Sequence, residues 1–381
     1  MQPSGNSLGL LTGTGGDIFF IDPNKGAPRV QQFSADLQHE LPGGVSVSVG
    51  YTGAKGDNLS WAGSNSGSTN GYININQIDP KYQTQLASTS TLVANPFFGI
   101  PAAGQFASRQ TIEIGQLLRP FPQYGNVYMM QSTGAHSMYN AAIFQLRRRS
   151  TGWWGGTFSY TYSRLNDNQF GESNYYSSNP GLQNNYTVVP GSPYYNPDAE
   201  YGRSLLDSPH KLVIAPLFNL PYGITIMPVV TMQSGFPIGV TQNVNGTQFL
   251  YGGILRPNLV PGQSLLTSGN ITERITANTN DNLFYNPAAF GLSPLNQFGN
   301  APRMLADVLS PWRNNVDLGV SKQVHTGGTT TASVRLEILN MFNIVQWAAP
   351  ASSAFGNSSF GQITNQANNM RMVQFTFRFT F

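Results

Sequence analysis

The chain ends on the feature that most constrains its fold. Val373, Phe375, Phe377, Phe379 and Phe381 recur at strict period two, with Gln374, Thr376, Arg378 and Thr380 between them. Successive side chains of a β-strand point to opposite faces, so this strand has an aromatic face and a polar one. On an exposed edge in water such a strand invites aggregation. In a closed sheet inside a bilayer, the aromatic face meets lipid and the polar face meets a wet lumen. A soluble sandwich with one buried sheet face is the competing arrangement.

The pattern recurs along the chain. Phe33, Ala35, Leu37, His39 and Leu41 alternate with polar residues, turn at Pro42-Gly43-Gly44, and return through Val45, Val47, Val49 and Tyr51. Two alternating runs joined by a tight glycine turn make a hairpin. Ala142, Phe144 and Leu146 lead through Arg147-Arg148-Arg149 and a turn at 150–152 into Trp154, Phe158, Tyr160 and Tyr162. A third pair runs 211–220 and 224–232, weakened by Pro216 and Pro228, because proline cannot donate to a ladder. A fourth sets Val316, Leu318 and Val320 against Val334, Leu336 and Ile338. With poorer candidates at 110–118 and 124–133, the sequence predicts about eleven strands of membrane-crossing length.

Connection lengths support the bilayer arrangement. Short turns at 42–44, 150–152, 221–223 and 325–328 interleave with long irregular segments at 54–109, 166–206, 237–311 and 343–370. Loops that long are uncommon in compact soluble domains, whereas short periplasmic turns and long extracellular loops mark an outer-membrane barrel. The predicted fold class is therefore all-β, an antiparallel transmembrane β-barrel portion.

Composition narrows the function. Charged residues make up 10% of the 381, against about 25% in soluble proteins. No stretch approaches the roughly 18 apolar residues of a membrane helix, and 23 Phe, 17 Tyr and 5 Trp argue against disorder. A net charge of +3, dispersed, gives no nucleic-acid partner. Without cysteine, disulfides and thiol sites are excluded. His39, His136, His210 and His325 are scattered, and Gly13-Thr14-Gly15-Gly16 lacks the lysine of a phosphate loop. The expectation is no enzyme: no catalytic, cofactor-binding or metal residues. Met1 to Asn6 has neither a basic nor an apolar signal region, so a secretion signal is absent from this chain, and an exported barrel would then lack its start here.

On the polar faces, Asp36, Arg147, Arg149, Asp317, Arg335, Glu337 and Arg378 are the lumen-facing candidates, with Glu40 and Lys322 beside them. Arg335 and Glu337 could brace one another, although exposed pairs contribute little. The triple arginine at 147–149 marks a membrane boundary better than a nucleic-acid site. Trp154, Tyr160, Tyr162 and Trp312, with Trp153, suit interfacial aromatic girdles. Tyr175, Tyr176, Tyr186, Tyr194, Tyr195 and Tyr201, among Asn, Ser and Gly, have the composition of recognition loops and equally that of variable filler. Asn185-Tyr186-Thr187 matches a glycosylation sequon of no evident use.

Several stretches resemble the C-terminal barrel of Oar-like TonB-dependent transporters, outer-membrane proteins abundant in acidobacteria and myxobacteria. They are Leu118-Arg119-Pro120-Phe121-Pro122-Gln123-Tyr124-Gly125-Asn126-Val127, Ser208-Pro209-His210-Lys211-Leu212, Leu220-Pro221-Tyr222-Gly223 and Ser234-Gly235-Phe236-Pro237. Phe284-Tyr285-Asn286-Pro287-Ala288-Ala289-Phe290, Phe298-Gly299-Asn300, Arg335 through Asn343 and the terminal strand complete the set.

The resemblance implies uptake of an unidentified substrate through a barrel of roughly 22 strands with an internal plug. About eleven strands is half of that, and no plug or TonB-contacting segment is visible. Residues 1–28 then read as a truncated extracellular loop and 29–381 as the C-terminal half of the barrel. Implied partners are outer-membrane lipid, the barrel-assembly machinery through Phe375, Phe377, Phe379 and Phe381 of the terminal strand, and the missing N-terminal half, through which TonB would act. The implied location is the outer membrane of a Gram-negative cell. The competing functions are a passive porin-like barrel and an adhesive or structural outer-membrane protein.

Overall fold

The computed structural model describes residues 9–61, 72–82, 89–169, 183–243, 255–277, 281–294, 297–327 and 330–381. Tyr175, Tyr176 and the segment Met1 to Asn6 lie outside the described residues. Nine long strands dominate: β1 (Arg29–Leu41), β2 (Val45–Ser60), β3 (Thr133–Arg148), β4 (Trp154–Asp167), β5 (His210–Leu220), β6 (Ile224–Gln233), β7 (Arg313–Gly327), β8 (Thr330–Leu339) and β9 (Met372–Thr380). They hydrogen-bond in sequence order, each antiparallel to the next, and short Gly202–Arg203 adds to the far end of β4. At β1–β2, Gly43 and Gly44 supply the positive φ that so tight a hairpin needs.

These nine strands are the seven alternating segments of the sequence and the proline-weakened pair at 211–220 and 224–232. The two poorer candidates are corrected. Within 110–118, Thr111–Glu113 is a short strand paired with Leu92–Ala94, followed by a one-turn helix, Ile114–Leu117. Within 124–133, Val127–Met130 sits in a small three-stranded sheet, parallel to Ile18–Ile21 and antiparallel to Tyr72–Asn74. Both are short apolar runs, whose periodicity does not separate a sheet strand from a loop core.

The two prolines are accommodated together. The β5–β6 ladder runs from Lys211↔Gln233 to Ile214↔Val230 and resumes at Phe218↔Ile226. In that register Pro216 faces Pro228, so two residues without an N–H share a single interruption.

The described parts of the long connections hold the hydrophobic core. Of the buried apolar residues among those described, only Ala135 and Ala141 belong to the nine strands. The largest cluster joins Ile238, Val240, Tyr285, Phe290, Leu305 and Phe360. A second gathers Trp61, Ile73, Met129 and Val188. Residues 9–28 pack into this assembly: Gly15 N–H donates to Gln123 O at 2.8 Å, and buried Asp22 accepts from Ser132 Oγ at 2.6 Å. The sheet, in contrast, keeps its apolar face uncovered, with Leu37 76%, Phe375 74% and Phe377 69% exposed. β1 and β9 are exposed along their whole length.

Candidate functional site

Register sorts the sheet into two faces. One ladder row, from β4 to β9, reads Trp154, Phe218, Ile226, Val320, Leu336, Phe375. One residue over, from β5, the row reads Asn219, Thr225, Ser321, Arg335, Thr376. Because the side-chain period is two, this separation persists only if every hairpin keeps its register.

Asp36, Arg147, Asp317, Arg335, Glu337 and Arg378 all fall on the polar face. They are not brought together as one site. Arg335 pairs with Glu337 at 2.7 Å, both partly exposed. Asp317 accepts from Asn340 N–H and from Asn315 Nδ2, both at 2.8 Å. It thereby fixes the turn after β8, where Asn340 and Asn343 adopt left-handed φ values of 50° and 52° that asparagine tolerates better than most residues. Arg149 lies beyond the end of β3, in the turn rather than on a strand face.

Lys322 is a correction: it stands opposite Ile224 and Val334, on the apolar face near the short turns. There its stem can lie along apolar surface while the ammonium reaches water. Arg148, a member of the boundary triplet at 147–149, has the same placement, opposite Val45. Its phase with Phe144 and Leu146 was the available signal.

Aromatic residues border the apolar face at both ends. Near the short turns, Arg148 Cζ lies 4.0 Å over the Trp154 ring, and Trp153 stacks on Phe218. Near the long loops, His210 gathers Tyr160, Tyr162 and Trp312, with its ring centroid 5.2 Å from Tyr162 and 5.9 Å from Trp312. Tyr160 Oη and His210 Nδ1 are 2.8 Å apart. Trp154 and Tyr162 share a face of β4 eight residues apart, roughly 26 Å along the strand. At a barrel strand's tilt of about 35–45° this rises roughly 20 Å, most of an apolar band of about 25 Å.

At the loop end, ion pairs bind the connections to one another. Arg303, 3% exposed, donates to Asp167 Oδ1 at 2.6 Å and to the backbone oxygens of Asp167, Gln169 and Glu200. Arg256 makes a two-pronged contact with Glu200, and Arg203 Nε is 3.2 Å from Asp207 Oδ2. Burial pushes the Asp207 carboxyl up despite the Leu165 N–H and Arg203. Arg203, Arg256, Arg303 and Glu200 line a polar cleft of about 360 Å³.

Gly299, on the cleft wall, has a structural reason to be glycine. A Cβ there would sit 1.8 Å from Arg256 O. Gly299→Ala is therefore expected to displace the Arg256 backbone at a cost of about 1–3 kcal/mol. Limited proteolysis should show faster cutting within 255–303, with the sheet intact.

The loop tyrosines divide by role. Tyr186 Oη donates to Gln77 O, and burial pushes its hydroxyl pKa far up. Tyr194 Oη donates to Asp79 Oδ1 at 2.7 Å. Tyr195 and Tyr201 remain exposed, and Tyr201 stacks on His136. At Asp79 burial raises the pKa, but the Lys81 N–H, the Tyr194 hydroxyl and the Lys81 ammonium together hold it below its ordinary 3.8.

A carboxyl with a depressed folded pKa contributes stability that is full above the unfolded value and lost as pH falls through the folded one. The Asp79 contribution to the tie between 72–82 and 183–201 should therefore be full at neutral pH, weaken below about 3.8 and be lost beneath the lowered value, while the Tyr186–Gln77 contact remains. Pepsin cutting within 183–201, followed from pH 5 to pH 2, measures it. Tyr194→Phe should flatten that dependence.

A sequential antiparallel sheet with an uncovered apolar face, aromatic borders and its core in the long loops is the wall of a transmembrane β-barrel. The chain belongs to the outer membrane beta barrel domain family, whose model matches residues 1–374, and its location is the outer membrane. Among solved structures, the outer membrane transporter YddB from Escherichia coli is similar at 10% identity and a TM-score of 0.39, over 95% of this chain and 33% of that one. The chain thus spans about a third of that structure's length. No curated protein gives a match.

Proposed function

We propose that this chain is the C-terminal barrel wall of an Oar-like TonB-dependent transporter that takes up an unidentified substrate. Polypeptide outside these 381 residues contributes the other strands and a plug on which TonB acts. The observation that carries this reading is the pair of open edges. Among the described residues β1 and β9 each pair with one neighbour, and both strands are exposed throughout. Unpaired backbone groups in hydrocarbon cost several kcal/mol each, so a bilayer requires more strands there.

In this reading the polar face lines the lumen, the aromatic borders are the membrane girdles, and the short turns are periplasmic. The terminal strand hands the chain to the assembly machinery. The protein positions and passes substrate without covalent chemistry.

The test is the full reading frame produced in an outer-membrane host with and without TonB. Depletion of candidate sugars, peptides and metal chelates from the medium is followed in both. Uptake at least tenfold greater with TonB is expected. Ion conductance independent of TonB would replace this reading with a passive pore. Loop-dependent surface binding without uptake would replace it with an adhesin.

A further inference from the structure

The apolar face carries a built recess at its short-turn end. Val45, Leu146, Phe158 and Ile214 wall a groove of about 200 Å³ whose floor is Gly156 and Pro216. The floor is low because Gly156 has no side chain. Its φ is +136°, and a Cβ would lie 2.5 Å from Pro216 Cα. The interruption of the β5–β6 ladder falls at the same place, so Pro216 closes the groove without a broken hydrogen bond of its own.

Arg148 and Trp154 stand in the same lining. The guanidinium carbon lies 4.0 Å from the centre of the indole ring, a cation–π contact that holds the group in place without using up a hydrogen-bond donor. Its Nε is buried without a hydrogen-bond partner, and among the described residues Arg148 takes part in no ion pair. The lining holds no acid; of its two arginines Arg148 belongs to this face and Arg147 to the polar one, while exposed Arg149 adds a cation from the turn. An apolar trough ending in an anchored, unpaired guanidinium matches an amphiphile with an acyl chain and an anionic oxygen cluster. Arginine's fork suits phosphate oxygens in particular.

We propose that this groove is a binding site for one anionic glycerophospholipid, its acyl chain lying on Gly156 and Pro216 and its phosphate held by Arg148. The proposal rests on the apolar face meeting lipid. It goes beyond that placement by naming a residue-specific lipid among the bulk.

The test uses the product of the full reading frame, with its other strands in place, reconstituted in liposomes of mixed phosphatidylglycerol and phosphatidylcholine, then extracted into mild detergent for native mass spectrometry. Wild type should retain one phosphatidylglycerol through detergent exchange, at least fivefold over phosphatidylcholine. Arg148→Gln should reduce that retention about tenfold. Leu146→Trp, which fills the trough and keeps the charge, should reduce it similarly. Lys322→Gln, a cation at the same end of the same face with no groove, should stay within twofold of wild type. Equal retention in wild type and Arg148→Gln, or loss of preference for the anionic lipid in wild type, overturns the lipid site. Trypsin added to the liposomes reports insertion independently. Digestion of the strands would overturn the membrane placement and the site with it, whereas protected strands without selective retention overturn the site alone.

Discussion

Leu336→Arg is expected to lower the stability of the bilayer-inserted chain by about 2–4 kcal/mol, the cost of an arginine on the lipid side of a barrel near the midplane. Leu336 sits between Val320 and Phe375 in the row that begins at Trp154, so the new charge would have apolar neighbours on both sides. The comparison that gives the number meaning is one residue away. Glu337→Gln removes one partner of an ion pair whose side chains are 51% and 32% exposed, and its cost should stay within about 1 kcal/mol. Urea unfolding in liposomes, read by the gel shift between folded and boiled protein, separates the two. Similar costs at both positions would mean that register does not divide the sheet into lipid and aqueous faces.

Arg303→Ala should produce a loss of comparable or greater size in a different part of the molecule. Arg303 is nearly fully buried, and its guanidinium joins Asp167 at the end of β4 to the backbone of 169 and 200. Removing it leaves the Asp167 carboxylate without its cation, and breaking a buried pair typically costs about 3–5 kcal/mol. The damage should be confined to the loop assembly: rapid cutting within 183–206 and 297–310, with the strands still protected. Arg303→Lys should not restore protection, because one ammonium cannot span acceptors that a planar fork reaches together. Adding Asp167→Asn should recover part of the loss by removing the stranded charge.

The sheet was legible in the sequence because seven of its nine strands repeat one two-residue code and the other two flank a short turn. From Phe33 to Phe381 that code gives strand, hairpin and face together, and the observed registers follow it. Where the code was read by composition instead of phase, it misled. Lys322 is charged but in phase with Leu318 and Val320, so it belongs to the apolar face.

The loop assembly was illegible for another reason. Its core draws Ile238, Tyr285, Leu305 and Phe360 from distant segments with no common period. Tyr194, whose composition suggested a recognition surface, is held by a contact to Asp79 across 115 positions of sequence. The ion pairs Arg256–Glu200 and Arg303–Asp167 join positions that carry no mutual signal until the chain is folded.

That core, set apart from the sheet, gives one polypeptide two different responses to temperature. Burial of apolar surface from water carries a large heat-capacity change and weakens on cooling. The loop clusters are subject to this, whereas a strand face against lipid exchanges no water when it forms its contacts. Chilling should therefore loosen the aqueous cap while the wall stays closed-packed, so the loops have a cold limit of their own that the strands do not share.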